Sequence, residues 1–321
     1  MITRTHPLIS LLLISSILSL LTSCTTITGQ PELVLQNHKL AGKIWDVKQQ
    51  TFINKDSIIA RMHDTSYLLL GERHDNQIHH QHQAWFIRQL KQNQQHASIA
   101  FEMINNLQAD LLAKQPVTSV EQMITILNKV NNNWQYQTRY QALFSEALTA
   151  DYPVIPANIS RRQLMHIAMK SEDKLPPAYQ RMLKRTPFSQ IQQRRMKNEI
   201  NQSHCNMLDN SSSQSMILGQ RLRDAIMAHS LLKIPSPVKV LIAGLGHTRN
   251  DLAVPLYLKS NKVLSVGFIE VEDNINNVAE YAKSWDTETL PFDIVWFTPQ
   301  VKRENMCDQI REHMKNKKKS S

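Results

Sequence analysis

Six short apolar runs, each of which begins and ends abruptly, constrain the fold of this chain more than any other feature. They are Tyr67–Leu70, Ser98–Phe101, Pro153–Pro156, Val238–Ala243, Val263–Ile269 and Ile294–Phe297. Continuous runs of this length are typical of strands that are buried on both faces. Amphipathic stretches of helical length lie between them, for example 78–94, 139–150 and 216–232. Strand followed by helix, repeated, predicts an α/β fold with a largely parallel sheet flanked by helices.

The segment 108–232 has a different pattern, with one weak strand candidate among many helical stretches. We therefore predict that 24–107 and 233–321 form the sheet domain, and that 108–232 is an inserted, smaller and mainly helical subdomain. With 321 residues, of which 41% are hydrophobic, the chain is long enough to bury a sizeable core. Its net charge of +10 is diffuse, and only 20% of its residues are charged. We expect no nucleic-acid partner, because such proteins concentrate their basic residues.

The first 23 residues have the shape of a signal peptide. Arg4 is the only formal charge before Glu32, and an apolar run of 14 residues covers 8–21. This run is shorter than the roughly 20 residues that a membrane-spanning helix needs. It ends in LTSC at 21–24, which resembles a bacterial lipobox and implies export, cleavage before Cys24 and acylation of Cys24. The alternative is a short buried or signal-anchor helix with an incidental cysteine.

The residue after the lipobox cysteine is Thr25 rather than an aspartate. By the sorting rule that such lipoproteins usually obey, this resemblance implies a lipid anchor in the outer membrane, facing the periplasm. Two further cysteines, Cys205 and Cys307, would then be in a compartment where disulfides persist. A bridge between them is our hypothesis, and it would stabilise the fold by about 4 to 5 kcal/mol in the chain-entropy model. The alternative is two buried free thiols.

Two Gly-x-x-His turns follow predicted strands in a chain that has only seven glycines. They are GERHDN at 71–76 and GLGHTRND at 244–251. In open α/β sheets the carboxyl ends of the strands form the edge at which ligands bind. Two further predicted strands end near a glutamate and an asparagine at that same edge. We therefore predict one polar rim, made of Glu72, Arg73, His74, Glu102, Asn158, His247 and Arg249.

Two imidazoles and two carboxylates in this rim suggest a metal site. His74, His247 and either Glu72 or Glu102 could hold Zn²⁺ or Mn²⁺ with one position open for water, and the other carboxylate could act as base. That reading predicts a metal-dependent hydrolase. The other reading of the same residues is a buried polar network that fixes the strand ends. Arginines in both turns disfavour a divalent cation there.

The histidine-rich segment HHQH at 79–82 is weaker evidence for a metal. If the chain is helical from Asn76, His79 and His82 lie three residues apart on one face, which is a spacing that can chelate. No carboxylate adjoins them, and the H-E-x-x-H pattern of zinc proteases is absent. We therefore favour a solvated helix face.

Several segments together resemble one known family. They are GERHDNQIHH at 71–80, FEM at 101–103, the segment Trp134–Tyr140, PAN at 156–158, QRLRDAIMAH at 220–229 and GLGHTRND at 244–251. These segments resemble the ChaN family of haem-uptake lipoproteins, in a superfamily with Tiki proteases, TraB-type proteins and erythromycin esterases. The resemblance runs from about Leu68 to Pro299. It implies haem binding in association with an outer-membrane haem receptor, and dimerisation around haem.

The resemblance also implies a tyrosine on ferric iron and basic or histidine side chains at the haem propionates. Our axial candidate is Tyr140, with Tyr136 on the same helical face as runner-up. His74 and His247 are the candidates for other haem contacts. The alternative is that both tyrosines are ordinary packing residues beside Trp134. We expect a haem binder without turnover chemistry, and we retain the metal-dependent hydrolase and a ligand-free scaffold as alternatives.

Overall fold

A mostly parallel sheet forms the centre of the structure, a computed structural model that describes residues 31–115, 117–131, 133–168, 175–305, 307–308 and 311–312. The strands are β1 (Leu33–Val34), β2 (Ile44–Asp46), β3 (Thr51–Ile53), β4 (Tyr67–Glu72), β5 (Ala97–Asn105), β6 (Val154–Asn158), β7 (Val238–Gly244), β8 (Val263–Glu270), β9 (Ile294–Thr298) and β10 (Gln300–Val301). Eight of these described strands form the main sheet, in the order β3-β2-β9-β8-β4-β7-β5-β6. Strands β4 to β9 are mutually parallel, whereas β2 and β3 add an antiparallel edge. Strands β1 and β10 form a separate antiparallel pair.

Helices cover both faces of the sheet. They are α1 (Lys55–His63), α2 (Gln77–Gln92), α3 (Asn106–Leu112), α4 (Val120–Asn128), α5 (Tyr136–Arg139), α6 (Gln141–Thr149), α7 (Arg161–Ala168), α8 (Pro177–Arg185), α9 (Gln190–Ser203), α10 (Asn210–Lys233), α11 (Leu245–Thr248), α12 (Val254–Leu258) and α13 (Val278–Tyr281). Side-chain caps set several starts: Asn76 accepts the Ile78 N–H at α2, and Ser189 forms a capping box with Gln192 at α9. Within the described ranges, no helix is both long and apolar enough to cross a membrane.

Burial on both faces explains why the central strands are continuous apolar runs. Successive side chains of a strand point to opposite faces of the sheet. In β4, Leu68 and Leu70 pack in the core beneath α2 and α6, whereas Leu69 packs in the core beneath α10. Helix α10 in turn contacts α7, α8, α9 and α12. The sheet is therefore sandwiched between two helical layers, one built around α2 and α6 and the other around α10.

The predicted α/β class with a largely parallel sheet is confirmed, and the six apolar runs correspond to β4 through β9. Among the described residues of 108–232, the regular elements are helices except for β6, which pairs with β5 in the main sheet. All described residues belong to one compact unit. A separate helical subdomain therefore stays a prediction. The predicted signal peptide and Cys24 lie outside the described residues.

The structure joins Cys205 and Cys307 by a disulfide. These cysteines are 102 positions apart, and the bond ties the end of α9 to the C-terminal segment. Both Cys205 and the next residue, Asn206, adopt left-handed backbone conformations, with φ of 59° and 57°. The chain therefore turns sharply directly after α9, at the point where the disulfide holds it.

Candidate functional site

Two glycine turns meet at the carboxyl ends of β4 and β7. A Cβ atom on Gly244 would lie 3.0 Å from Nε2 of His74, and one on Gly71 would lie 2.1 Å from Oγ1 of Thr248. Larger residues at these two positions would push the turns apart, so glycine is needed for the close approach. The turns consequently bring His74 and His247 to one edge of the sheet, together with the ends of β5 and β6.

Glu72, at the end of β4, is the first centre of this edge. Its Oε1 atom accepts hydrogen bonds from the Tyr140 hydroxyl at 2.7 Å and from Nδ1 of His74 at 2.8 Å. Its Oε2 atom lies 3.2 Å from Nε2 of His80. Burial raises the pKa of this carboxyl, but the charges and hydrogen bonds of His80 and His74 outweigh burial and hold the pKa below its ordinary value. Glu72 is therefore a buried carboxylate.

Glu102, in β5, is the second centre. Its Oε2 atom accepts the Gly244 N–H at 2.8 Å, and its Oε1 atom lies 3.4 Å from Nε2 of His247. A guanidinium nitrogen of Arg223 is 3.9 Å from the same Oε1. Burial again raises the pKa of the carboxyl, and the interactions with His247 and His74 again outweigh it, so that the pKa is lowered.

His74 links the two carboxylates. Its Nδ1 donates to Glu72, while its Nε2 lies 3.8 Å from Oε2 of Glu102. Burial lowers the pKa of the imidazole, but the negative charges of Glu102 and Glu72 raise it above its ordinary value. The ring also packs edge-on against Trp134, with 4.9 Å between the ring centroids. The His74 side chain is 32% exposed, so this part of the edge is open to solvent.

His247 carries the network into the opposite helical layer. Its Nδ1 donates to Oδ1 of Asp224 at 2.6 Å, and Gln220 of the same helix, α10, contacts the ring. Burial alone would lower the pKa of His247, but Glu102 and Asp224 raise it to about 10. Burial raises the pKa of Asp224 to about 6 against the opposing effect of His247. Acidic and basic groups thus alternate along the edge, from Glu72 to Asp224.

The structure brings five of the predicted rim residues together and separates two. Asn158 joins the edge by donating from Nδ2 to the backbone carbonyl of Glu102 at 3.0 Å. Arg73 is exposed and lies 3.7 Å from Glu270. Arg249 is buried, but its guanidinium binds Asp251 and Glu199 rather than the carboxylates of the edge. The residues that meet are Glu72, His74, Glu102, Asn158 and His247.

The two tyrosine candidates are buried. Tyr140 donates to Glu72, and the Tyr136 hydroxyl donates to the carbonyl of Met103 at 2.6 Å. Burial raises the pKa of Tyr136 to about 12, and burial together with Glu72 raises the pKa of Tyr140 well above its ordinary value. Ferric iron binds the deprotonated phenolate. This geometry argues against our prediction of Tyr140 or Tyr136 as the axial ligand, because neither hydroxyl is free or readily ionised.

The expectation of a solvated face for HHQH is wrong. His79 and His80 are buried, and His79 accepts the Arg73 N–H at 2.9 Å while its other ring nitrogen lies 2.8 Å from Oγ1 of Thr298. Burial lowers the pKa of His79 well below its ordinary value. His82 stacks on Trp296 with 4.0 Å between the ring centroids. These contacts orient the α2 helix toward the sheet.

Two members of the network were missed by the sequence analysis, namely His80 in α2 and Asp224 in α10. The signal for Asp224 was present, because an acidic residue stands among apolar neighbours in QRLRDAIMAH. For His80, the signal was its position about one helical turn after Asn76, the N-cap of α2. In both cases the position of the residue along its helix can be predicted from the sequence. The side of the helix that faces the sheet cannot.

No group of three or more His, Cys, Asp or Glu side chains among the described residues is arranged to hold a metal ion. The reason lies in the pairing of the imidazoles. His74 and His247 each contact carboxylates, which raise both pKa values and favour the protonated rings. A protonated imidazole has no lone pair for a metal ion.

A cleft of about 670 Å³ lies beside the polar edge, between α7, α9 and α10. Gln220 and Arg223 line it and also contact the edge, through His247 and Glu102 respectively. Its walls include Met165 and Met216, which are 51% and 36% exposed. The volume lies within the range of about 300 to 1,000 Å³ that is typical of small-molecule sites. The remaining lining residues are Arg161, Leu164, Met196, Glu199, Ile200, Ser203, His204, Ser211, Ser212, Ser215 and Gly219.

The chain is similar to several solved structures. ChaN of Campylobacter jejuni, in a structure that describes cofacial haem binding, has a TM-score of 0.63 and 20% identity, over 80% of this chain and 96% of that one. The type III effector HopBA1 has a TM-score of 0.40 and 12% identity, over 76% and 92% of the two chains. A mutant of the erythromycin esterase EreC in its open conformation has a TM-score of 0.40 and 10% identity, over 84% and 99%. No curated protein matches the chain.

A family model described as haem-binding uptake, Tiki superfamily, ChaN, matches residues 58–258. This range includes both Gly-x-x-His turns, both glutamates of the edge and the helices of the cleft. The match therefore confirms the resemblance seen in the sequence. The chain belongs to the ChaN family of haem-binding uptake proteins, within the Tiki superfamily.

Proposed function

We propose that this chain is a lipid-anchored haem-binding protein that takes part in haem and iron uptake, and that ferric haem binds in the cleft between α7, α9 and α10. The observation that carries the proposal is the composition of this cleft. Methionine and leucine side chains form apolar walls, and arginines stand at its edge. Haem has the same division, with an apolar macrocycle and two carboxylates.

Arg223 supports the assignment of the propionate end. Its Nε atom is buried and has no hydrogen-bond partner among the described residues, and its nearest carboxylate contact is the 3.9 Å approach to Glu102. Leaving a buried donor unpaired costs about 1–3 kcal/mol. A propionate would supply the missing acceptor, and guanidinium groups suit carboxylates because they can donate two parallel hydrogen bonds. Arg161 is exposed at the same cleft and could bind the second propionate.

Another cavity in the described part of the chain does not fit haem as well. It has a volume of about 720 Å³ and lies near the β2–β3 edge, with Trp45, Phe52 and Lys43 in its lining. Its lining residues include no histidine, tyrosine, cysteine or methionine. Haem iron in proteins is held by side chains of those types. A cavity without them could surround a porphyrin but could not ligate its iron.

The polar edge has a supporting role in this proposal. Asp224 and Gln220 are one turn apart on α10 and both contact His247, so the ion pairs hold α10 against the sheet. The same helix supplies Arg223 and Met216 to the cleft. The chain would thus bind and orient haem without turnover chemistry of its own.

The remaining parts of the proposal come from the sequence and the family. Acylation of Cys24 would anchor the protein in the outer membrane, where it would face the periplasm and serve an outer-membrane haem receptor. Family resemblance also suggests that two copies assemble around haem. A lipid anchor would keep the binder at the membrane, since each buried methylene of an acyl chain contributes about 0.8 kcal/mol.

The test is a titration of protein beginning at Thr25 with ferric haem, followed by absorbance, with sedimentation and metal analysis on the same preparation. We expect saturable binding, and a weaker affinity for haem whose propionates are esterified. Absence of saturable binding would refute the proposal. A stoichiometric transition metal that is lost in His74→Ala would favour the metal-dependent hydrolase instead. Neither haem binding nor a metal would favour the scaffold.

A further inference from the structure

We propose that the cavity beside the β2–β3 edge takes up an acyl chain of a phospholipid that has a phosphoethanolamine headgroup, and that the protein contacts the membrane surface here. The cavity has a volume of about 720 Å³, and residues of β2, β3 and α13 line it. It shares no lining residue with the cleft between α7, α9 and α10. The inference goes beyond haem binding, and it rests on the proposed function only for the lipid anchor, which would hold a bilayer nearby.

Aliphatic and aromatic side chains form the walls of this cavity. Leu40, Val278 and Leu290 line it and are buried members of one hydrophobic cluster. Trp45 and Phe52 pack edge to face, with 4.9 Å between the ring centroids, and Phe52 is 48% exposed. Because β3 is the last strand at its end of the sheet, no described strand covers the Phe52 ring. Exposed aromatic rings of this kind are enriched where proteins meet the interface of a membrane.

The charged residues of the lining match a zwitterionic headgroup. Lys39 and Lys43 are exposed, and neither forms an ion pair with the described residues. Lysine stems cover apolar surface while the ammonium groups reach a phosphate in solvent, where charge-assisted hydrogen bonds form. Glu288 is the only acidic residue among the described residues of the lining, and it is exposed too. The ammonium of ethanolamine would pair with Glu288, whereas a purely anionic headgroup would be repelled by it.

The proposed anchor would keep a bilayer within reach of this cavity. Leu35 packs against the same hydrophobic cluster as Leu40, and it lies 11 positions after Cys24. A chain of that length spans at most about 40 Å when it is fully extended. Tethering makes the second contact with the membrane intramolecular, so a weak affinity for a single lipid is sufficient to orient the protein.

The experiment uses protein that begins at Thr25, which carries no acyl chain and includes every described residue. Its co-sedimentation is measured with vesicles of phosphatidylcholine alone, and with vesicles that also contain either phosphatidylethanolamine or phosphatidylglycerol. We expect the ethanolamine lipid to strengthen binding at least tenfold over phosphatidylcholine alone. Equal or tighter binding to the glycerol lipid, or no binding to any vesicle, would overturn the proposal.

Matched variants locate the contact. We expect Phe52→Ser to weaken vesicle binding at least tenfold, and the double variant Lys39→Gln, Lys43→Gln to do the same. The control for Phe52 is Leu232→Ser, a leucine that is 47% exposed on α10, outside this cavity. The control for the lysines is Lys184→Gln combined with Lys233→Gln, which are exposed at other places on the surface. Both controls should bind vesicles as the wild type does, and equal losses in the controls would refute the site.

Fluorescence shows whether an acyl chain enters the cavity. Vesicles whose ethanolamine lipid has brominated acyl chains should quench tryptophan fluorescence, and Trp45→Phe should remove most of that quenching. Quenching that persists in Trp45→Phe would place the chain elsewhere. Sedimentation without lipid is the companion measurement, because self-association that Phe52→Ser abolishes would assign this face to a second copy of the chain instead.

Haem titration of the same variants separates this inference from the proposed function. Phe52→Ser should bind ferric haem as the wild type does, since the two cavities have separate linings. Vesicle binding without haem binding would refute the proposed function and leave the lipid site standing. Haem binding without vesicle binding would do the reverse. Far-UV circular dichroism shows whether each variant is folded.

Discussion

The hydroxyl of Tyr140 donates a 2.7 Å hydrogen bond to Oε1 of Glu72, 68 positions earlier in the chain. Both groups are buried, and the same oxygen accepts from His74. This bond fastens the α5–α6 turn to the end of β4. It also occupies the one polar atom through which Tyr140 could act on a ligand.

Replacing Tyr140 by phenylalanine should therefore lower the stability of the protein without changing haem binding. We expect a loss of about 1.5–3 kcal/mol, the usual range for a hydrogen bond to a charged group, in the free energy of unfolding in urea. The haem absorbance spectrum should stay as in the wild type. Tyr179→Phe is the control, because Tyr179 belongs to the opposite helical layer, where its ring packs against His229. A normal stability with an altered haem spectrum would contradict the geometry described above.

The charged edge predicts a defined dependence of stability on pH. The pKa of His247 rises on folding from its ordinary 6.5 to about 10. Its stabilising contribution is therefore complete below about pH 6.5 and is lost as the pH rises through 10. The pKa values of Glu72 and Glu102 are lowered from 4.5, so their contribution is present above that pH and is lost under more acidic conditions.

Urea midpoints measured from pH 3 to pH 10 should accordingly pass through a maximum between about pH 5 and 6.5. In His247→Gln the decline on the alkaline side should be shallower, while the acid side keeps its slope from Glu72. A wild-type stability that rises between pH 7 and pH 10 would show that His247 is not charged in the folded protein.

Arg223 provides a test of the propionate assignment. In Arg223→Gln we expect haem affinity to fall about tenfold, since one charge-assisted hydrogen bond is worth about 1.5 kcal/mol. Haem dimethyl ester should bind the variant and the wild type about equally, because it lacks the carboxylates. The control is Arg194→Gln, an exposed arginine on α9 that lies outside the cleft lining. Equal losses for haem and its ester would assign Arg223 a purely structural role.

Removal of the disulfide should lower both the stability of the fold and the affinity for haem. Cys205→Ser combined with Cys307→Ser opens a loop of 102 residues. We expect about 4 to 5 kcal/mol less stability in the chain-entropy model. The same double variant should bind haem more weakly, because the turn at the end of α9, which lies beside the cleft, loses its restraint. Alkylation without prior reduction tests the bond itself: two reactive thiols in the wild-type protein, freshly exported, would argue against it.

The sequence predicted the central strands well and the edge strands poorly. β4 to β9 are buried on both faces, so each appears as a continuous apolar run. β2 and β3 have three residues each, and β3 is largely exposed, so neither has a pattern long enough to recognise. Their pairing with each other and with β9 depends on contacts between distant parts of the chain.

The candidate site shows the same division between local and long-range information. The rule that parallel strands end at one edge was sufficient to bring His74, Glu102 and His247 together. It could not predict the direction of Arg249, because Glu199, 50 positions earlier in the chain, binds its guanidinium. It also could not predict the burial of Tyr140, which depends on how α6 packs against α2.

The alternation of charges along the polar edge has a consequence for how this protein can vary. Five residues of the edge each contact a neighbour of opposite charge, namely Glu72, His74, Glu102, His247 and Asp224. Replacing any one of them leaves the charge of its neighbour without a partner. Breaking a buried pair in this way costs about 3–5 kcal/mol, a large fraction of the stability of an ordinary domain. During evolution, the substitutions that are tolerated at this edge would therefore change two or more of these residues together. In a library randomised at all five positions, the folded survivors should be pairs and triplets of compensating substitutions, with single replacements rare.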